Sequence, residues 1–237
     1  MCASQQQMSR RAVLRAAAGV GAGSLLGATF GADALHAATP THAPTFRTPT
    51  EALEALYRGN ARFAEGTITA PNRNMQRLKE VAAGQQPFAA FLGCADSRVP
   101  IEIVFDQGFG DVFVTRIAGN VADPAIIGSL EFGVEVLGAQ VLFVLGHSKC
   151  GAVSATLKGD AVPGQISTLY QHIRRAAKES NGNLDVAIRR NVELQAEILS
   201  EASPVLAKRI ADGRLLVAGG VYDLETGKVT PVRLPSR

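Results

Sequence analysis

The chain is 237 residues long, with 24 Lys and Arg against 21 Asp and Glu, three cysteines, four histidines and no tryptophan. A hydrophobic fraction of 46% against 19% charged residues excludes a disordered chain. Three cysteines exclude a disulfide-stapled miniprotein, and a formal charge of +3 is too small to mark a nucleic-acid binder.

Residues Ser9-Arg10-Arg11-Ala12-Val13-Leu14 set an arginine pair before an Ala- and Gly-rich run, Ala16 to Gly31, that ends near Leu35-His36-Ala37. This resembles a twin-arginine export signal with a small-residue cleavage site. The run is too weakly apolar for a membrane anchor, which needs about 20 strongly apolar residues. Residues 1–37 are therefore read as an export signal, and the protein is expected to be periplasmic or extracellular with no stable membrane insertion. Cleavage after Ala37 removes Arg10, Arg11 and Arg15 against Asp33, leaving a nearly neutral chain, and takes away Cys2 and His36. Residues 38–47, with Pro40 and Pro44, read as a flexible lead-in, and 48–237 as a single domain.

Thr48-Pro49-Thr50-Glu51 predicts a helix start, with Thr48 as N-cap, proline at the first helical position and Glu51 closing a capping box. Leu53, Leu56, Tyr57 and Phe63 continue at helical spacing to Gly66, and a second helix is expected over 74–83. Then the period changes. Phe88 to Gly93 is a short continuous apolar run, as a strand buried on both faces would be, and similar runs follow at 111–117, 141–146 and 214–219. Between them lie helical stretches with punctuated ends: 123–138, opened by Asp123-Pro124, then 151–158, 167–180, 184–201 and 203–213, opened by Ser203-Pro204. The alternation predicts an α/β fold with a mostly parallel sheet of about four strands, flanked on both faces by helices. Tyr222-Asp223 through Gly227 to Val232 predicts a turn into an antiparallel edge strand.

Ligands in such sheets bind outside the carboxyl ends of the strands. The first buried run ends in Cys94-Ala95-Asp96-Ser97-Arg98, and the third in Gly146-His147-Ser148-Lys149-Cys150-Gly151. Two thiolates and an imidazole are a zinc ligand set that leaves a fourth position for water or substrate. A Cys94–Cys150 disulfide is the competing reading for an exported protein. The twin-arginine signal favours metal, because that route resembles one used by proteins that fold with their cofactor inside the cell. Asp96, two residues past Cys94, is close enough to accept the proton of a hydroxide on the metal, and Arg98 can hold that carboxylate bidentately and keep it ionised.

Cys94-x-Asp96-Ser97-Arg98 followed by His147-x-x-Cys150-Gly151 resembles the β-class carbonic anhydrases. Pro87-Phe88, Arg116-x-Ala118-Gly119-Asn120, Ser129-x-Glu131-Phe132 and Gly146-His147-Ser148 extend the resemblance, which spans roughly residues 48–221. It implies one zinc per chain on Cys94, His147 and Cys150, and reversible hydration of carbon dioxide to bicarbonate and a proton by zinc-bound hydroxide. It implies Asp96 and Arg98 as the catalytic pair, with Asp96 able to become a fourth zinc ligand in a closed form. It also implies a substrate pocket of Gln85, Phe113, Ala118 and Phe132. Here Ala118 is smaller than the valine of some members, and Phe132 lacks the hydroxyl of the tyrosine in others. A homodimer or homotetramer is implied, in which two chains build the pocket. Gly119 is a weaker candidate for a backbone contact near the metal. His172 reads as a surface helix residue, His42 has no role, and no nucleic-acid partner is expected. The alternatives are hydrolysis of carbonyl sulfide or carbon disulfide on the same site, or a structural or redox zinc or disulfide module without turnover.

Overall fold

In the computed structural model, which describes residues 46–235, the first helix starts at the cap that the sequence provides. α1 spans Pro49–Ala64, and the Thr48 hydroxyl accepts from the Glu51 N–H at 3.2 Å. Glu51 accepts in return from the backbone N–H of Arg47 rather than that of Thr48, so the reciprocal bond of the capping box is displaced by one residue. The export segment 1–37 and the lead-in as far as residue 45, with Cys2, His36 and His42, lie outside the described residues. α2 (Met75–Glu80), capped by Asn74, is shorter than the expected 74–83 because the chain turns at Val81.

Four strands run parallel in the order β2 (Val112–Arg116), β1 (Ala89–Gly93), β3 (Val141–His147), β4 (Leu216–Tyr222), and β5 (Val229–Val232) pairs antiparallel to β4 at the far edge. β1 and β3 are buried at every residue, which is why they read as unbroken apolar runs. β2, at the other edge, is only half buried. A single turn, α3 (Ile101–Val104), follows β1; four residues are too few to show a helical period in the sequence. The later helices are α4 (Pro124–Glu131), α5 (Gly151–Lys158), α6 (Ser167–Glu179), α7 (Leu184–Ala202) and α8 (Pro204–Ala211). Asp123, Asn183 and Ser203 cap α4, α7 and α8 through their side chains, each worth about 1 kcal/mol.

Alternate residues of the central strands feed two layers. On one face Phe91, Phe105 and Phe143 pack with centroids 5.0 to 5.4 Å apart beneath α1 and α3; burying each ring contributes about 2 kcal/mol. On the other face Leu92, Leu142 and Val144 meet Leu130 of α4, Val192 and Leu199 of α7 and Leu206 of α8. The sequence predicts one helix over 123–138, but α4 stops at Glu131 and a π-helical turn, Phe132–Val136, follows. This turn lies directly against β2, where a Cβ on Gly133 would lie 2.8 Å from the Phe113 ring. The shared direction of β1 to β4 brings Cys94, the 117–120 segment, His147 and Tyr222 to one edge of the sheet.

Candidate metal centre

β1 and β3 are neighbours, so Cys94, the residue after β1, and His147, the last residue of β3, leave the sheet side by side. The chain then turns through Lys149 in the left-handed region (φ 56°) and places Cys150 at the N-cap of α5. The β4–β5 hairpin holds that turn: the Ser148 N–H donates to Tyr222 O at 2.8 Å, and the Leu224 N–H donates to Ser148 Oγ at 3.0 Å. The result is a buried group in which one ligand atom each from Cys94, His147 and Cys150 all lie within 4.8 Å of one another.

Protonation follows from the neighbours. His147 Nδ1 is 2.9 Å from the Ser148 carbonyl, which can only accept, so Nδ1 carries the ring proton and Nε2 presents its lone pair. Nε2 is buried without a hydrogen-bond partner, a costly arrangement unless something else takes the lone pair. Asp96 Oδ2 stands 3.8 Å from it, beyond hydrogen-bond reach. Both cysteines are free thiols, so the disulfide is not the arrangement found. The contact between the two sulfurs favours the thiolate of Cys94 and disfavours that of Cys150, so the two cannot both ionise readily by themselves. A divalent cation is what would let both be thiolates. Two soft sulfurs and one correctly protonated imidazole fit zinc, with three protein ligands and an open fourth position.

Beside this group, Asp96 accepts three bonds from Arg98: the backbone N–H at 3.0 Å and Nε at 2.9 Å on Oδ1, and Nη2 at 2.8 Å on Oδ2. The Arg98 fork is the main cause that holds this carboxyl well below the usual carboxylate range. Arg116, closing β2, reaches across to the same turn, its Nε donating to Cys94 O at 2.9 Å and its Nη2 to Asp96 O. Arg116 stands in one of the motifs that extend the resemblance, which implies no role for it. Its signal is a charged side chain at the end of an apolar strand that leads to the ligand edge. The Gly119 N–H donates to Cys94 Sγ at 3.3 Å, so the weaker candidate does make a backbone contact at the centre.

The four expected pocket residues are not gathered around this centre within one chain. Ala118, half buried, is next to Gly119 and adjoins it. Phe113 is paired with Ala90, four residues before Cys94, hence about 13 Å short of it along the strand. Phe113 packs instead on Phe132, centroids 6.4 Å apart, and Phe132 is 42% exposed. Gln85 is exposed ahead of β1. His172, half buried on α6, uses its backbone carbonyl to accept from Gln195.

The carbonic anhydrase family profile matches residues 89–229. Carbonic anhydrase 2 of Mycobacterium tuberculosis is 39% identical over 188 residues, covering 76% of this chain and 91% of that protein. Among solved structures, the β-carbonic anhydrase of Coccomyxa, determined in complex with acetazolamide, is 29% identical with a TM-score of 0.59, covering 79% of this chain and 87% of that one. A tetrameric β-carbonic anhydrase of Sordaria macrospora, at 24% identity and a TM-score of 0.63, covers 79% of this chain and 98% of its own and shares the fold.

Proposed function

The chain belongs to the β-class carbonic anhydrases and catalyses the reversible hydration of carbon dioxide to bicarbonate; we propose that it does so with one zinc ion held by Cys94, His147 and Cys150. The observation that carries the zinc reading is the buried, partnerless Nε2 of His147, on a ring that lies with two free thiols in one group whose ligand atoms are within 4.8 Å of one another. When bound, zinc supplies a Lewis acid that lets water ionise near neutral pH.

Asp96, kept ionised by Arg98, offers Oδ2 as the acceptor that orients the attacking water beside the centre. Because Arg98 occupies both carboxylate oxygens, it keeps Asp96 off the metal and leaves the fourth position open; release of Arg98 would allow Asp96 to become a fourth ligand. Arg116 fixes the path of the turn that carries Cys94 and Asp96. Analysis of zinc content with stopped-flow carbon dioxide hydration tests this. One zinc per chain and turnover far above the buffer rate are expected, whereas a metal-free Cys94–Cys150 disulfide or an inactive zinc-loaded protein would overturn it.

The pocket is completed between two copies of the chain. β2 is an edge strand with half-buried residues, and Phe109 and Phe132 are large apolar side chains left exposed, an edge that a soluble chain must cover. A second copy covering it would bring Gln85, Phe113 and Phe132 into a shared pocket, with Ala118 as the wall contributed by the chain that holds the metal, suited to a small uncharged substrate. Light scattering should return a dimer or tetramer; a monomer with full activity would sink this arrangement. The segment 1–37 acts as a twin-arginine export signal on the strength of Arg10 and Arg11 before the Ala16 to Gly31 run. Replacing Arg10 and Arg11 with lysine should retain the protein in the cytoplasm, and undiminished export would refute that assignment.

A further inference from the structure

α7 turns two amides, rather than only aliphatic side chains, toward the core. Asn191 and Gln195 are four residues apart, hence on one face of the helix, and both are buried. Buried amides are tolerated only when their polar atoms find partners, and here the partners form one chain of bonds. Gln195 Oε1 accepts from the Ala122 N–H at 2.8 Å, and its Nε2 donates to Asn191 Oδ1 at 3.1 Å and to His172 O at 3.2 Å. Asn191 Nδ2 donates to Gly119 O at 2.9 Å. The two side chains therefore clamp the segment after β2 at two points, Gly119 and Ala122.

That segment carries a backbone N–H that reaches the Cys94 sulfur, from Gly119 at 3.3 Å. Gly119 is in the left-handed region (φ 76°), and a Cβ there would lie 2.6 Å from Ile173 Cδ1 and 3.2 Å from Ala152 Cβ. Only glycine fits, and its missing side chain leaves the chain free to rotate about this Cα; the Gly119 carbonyl belongs to the next peptide unit, so the grip of Asn191 on it, with that of Gln195 on Ala122, fixes the Cα and the turn from which the Gly119 N–H projects.

We propose that Asn191 and Gln195 are positioning residues of the metal centre, which aim the Gly119 N–H at the Cys94 sulfur and so set how much charge that thiolate gives to the ion. This rests on the metal reading above. A hydrogen bond to a ligating sulfur draws charge away from the metal, and residues that orient a ligand from behind typically govern metal affinity by 10–100-fold.

The test uses the full chain loaded with cobalt(II), whose sulfur-to-metal charge-transfer band reports on thiolate donation, in Asn191→Leu, Asn191→Ser and Gln195→Met. Ser203→Ala serves as the comparison, since it removes a buried cap bond on α8 away from the centre. Loss of the clamp should move the band to longer wavelength, because the released sulfur donates more charge, and lower cobalt affinity against a competing chelator by about 10–100-fold, because Cys94 is no longer held in place for the ion, with Gln195→Met smaller than either Asn191 variant. Ser203→Ala should lower the melting temperature and leave the band in place. If Asn191→Leu does not fold, Asn191→Ser and Gln195→Met carry the test. Folded variants with the wild-type band and affinity would overturn the proposal, as would an equal shift in Ser203→Ala. A wild-type chain that binds no cobalt would overturn the metal reading together with it, whereas cobalt bound equally well by wild type and variants overturns only the clamp.

Discussion

Asp96, in the turn after β1, and Asp106, after α3, both hold their charge against arginine, but their surroundings differ. Asp106 is fully buried, and its two oxygens accept from Arg62 Nε at 2.7 Å, Ala70 N–H at 2.9 Å, both the N–H and the hydroxyl of Thr69 at 3.0 Å, and Arg73 Nη2 at 3.4 Å. Burial is the largest single influence and would raise its pKa, yet these bonds together bring it to about 2. Every acceptor site is spent on joining the 69–73 segment and α1 to the end of α3. Asp96 has one partner side chain, Arg98, which is itself largely exposed, and its Oδ2 stands 3.8 Å from His147 Nε2. A carboxylate saturated from all sides can only hold structure together, while one gripped from a single side keeps an acceptor for chemistry.

The sharpest way to break this contrast is Asp96→Asn. Stopped-flow hydration should fall by about 10²–10⁴-fold, with zinc content and melting temperature unchanged; retained activity would place Asp96 in the structural class beside Asp106. Asp106→Asn should do the reverse. It leaves Arg62 and Arg73 without their carboxylate and should cost about 3 kcal/mol in urea unfolding, the low end for a broken buried pair because both arginines keep an edge in water. The activity of the folded, zinc-loaded molecules should be unchanged.

A smaller effect is expected in acid. The folded pKa of Asp106, about 2, lies below its ordinary value of 3.8, so the folded state binds the proton less readily than the unfolded one. The stability contributed by the carboxylate is present above the unfolded pKa and is lost as pH falls from about 4 to 2, amounting to about 2 kcal/mol. The stability gap between wild type and Asp106→Asn should narrow over that window, and a gap independent of pH would contradict the charge argument. The least effect is expected from Arg98→Lys, which keeps the charge but not the two-pronged grip: hydration between that of wild type and Asp96→Asn, with no change in zinc content.

Much of this molecule is legible along the chain because its signals are local. Thr48, Asn183 and Ser203 cap helices where a polar residue precedes an apolar period, and the buried runs at 88–93 and 141–146 match strands covered on both faces. Asp106 and its partners carry no such mark, since Arg62, Thr69 and Ala70 reach it from 36 to 44 residues away. Asn191 and Gln195 read as the polar side of an amphipathic helix until the fold buries them. The π-helical turn at Phe132–Val136 is equally unmarked, since the helical period runs on through it, and its close contact with the Phe113 ring of β2 comes from the fold.

The chain by itself determined the strand and helix alternation and the trio Cys94, His147 and Cys150, because periodicity, caps and strand-end motifs depend on residues a few positions apart. Only the tertiary structure decided which nitrogen of His147 is free, that Arg116 and the hairpin at Tyr222 to Leu224 brace the turns that carry Cys94 and Cys150, and that an amide on α7 reaches a carbonyl 72 residues away beside the Cys94 sulfur. Those outcomes depend on which polar groups burial leaves within hydrogen-bond reach of one another, and that is set by how the layers pack rather than by the order of residues along the chain.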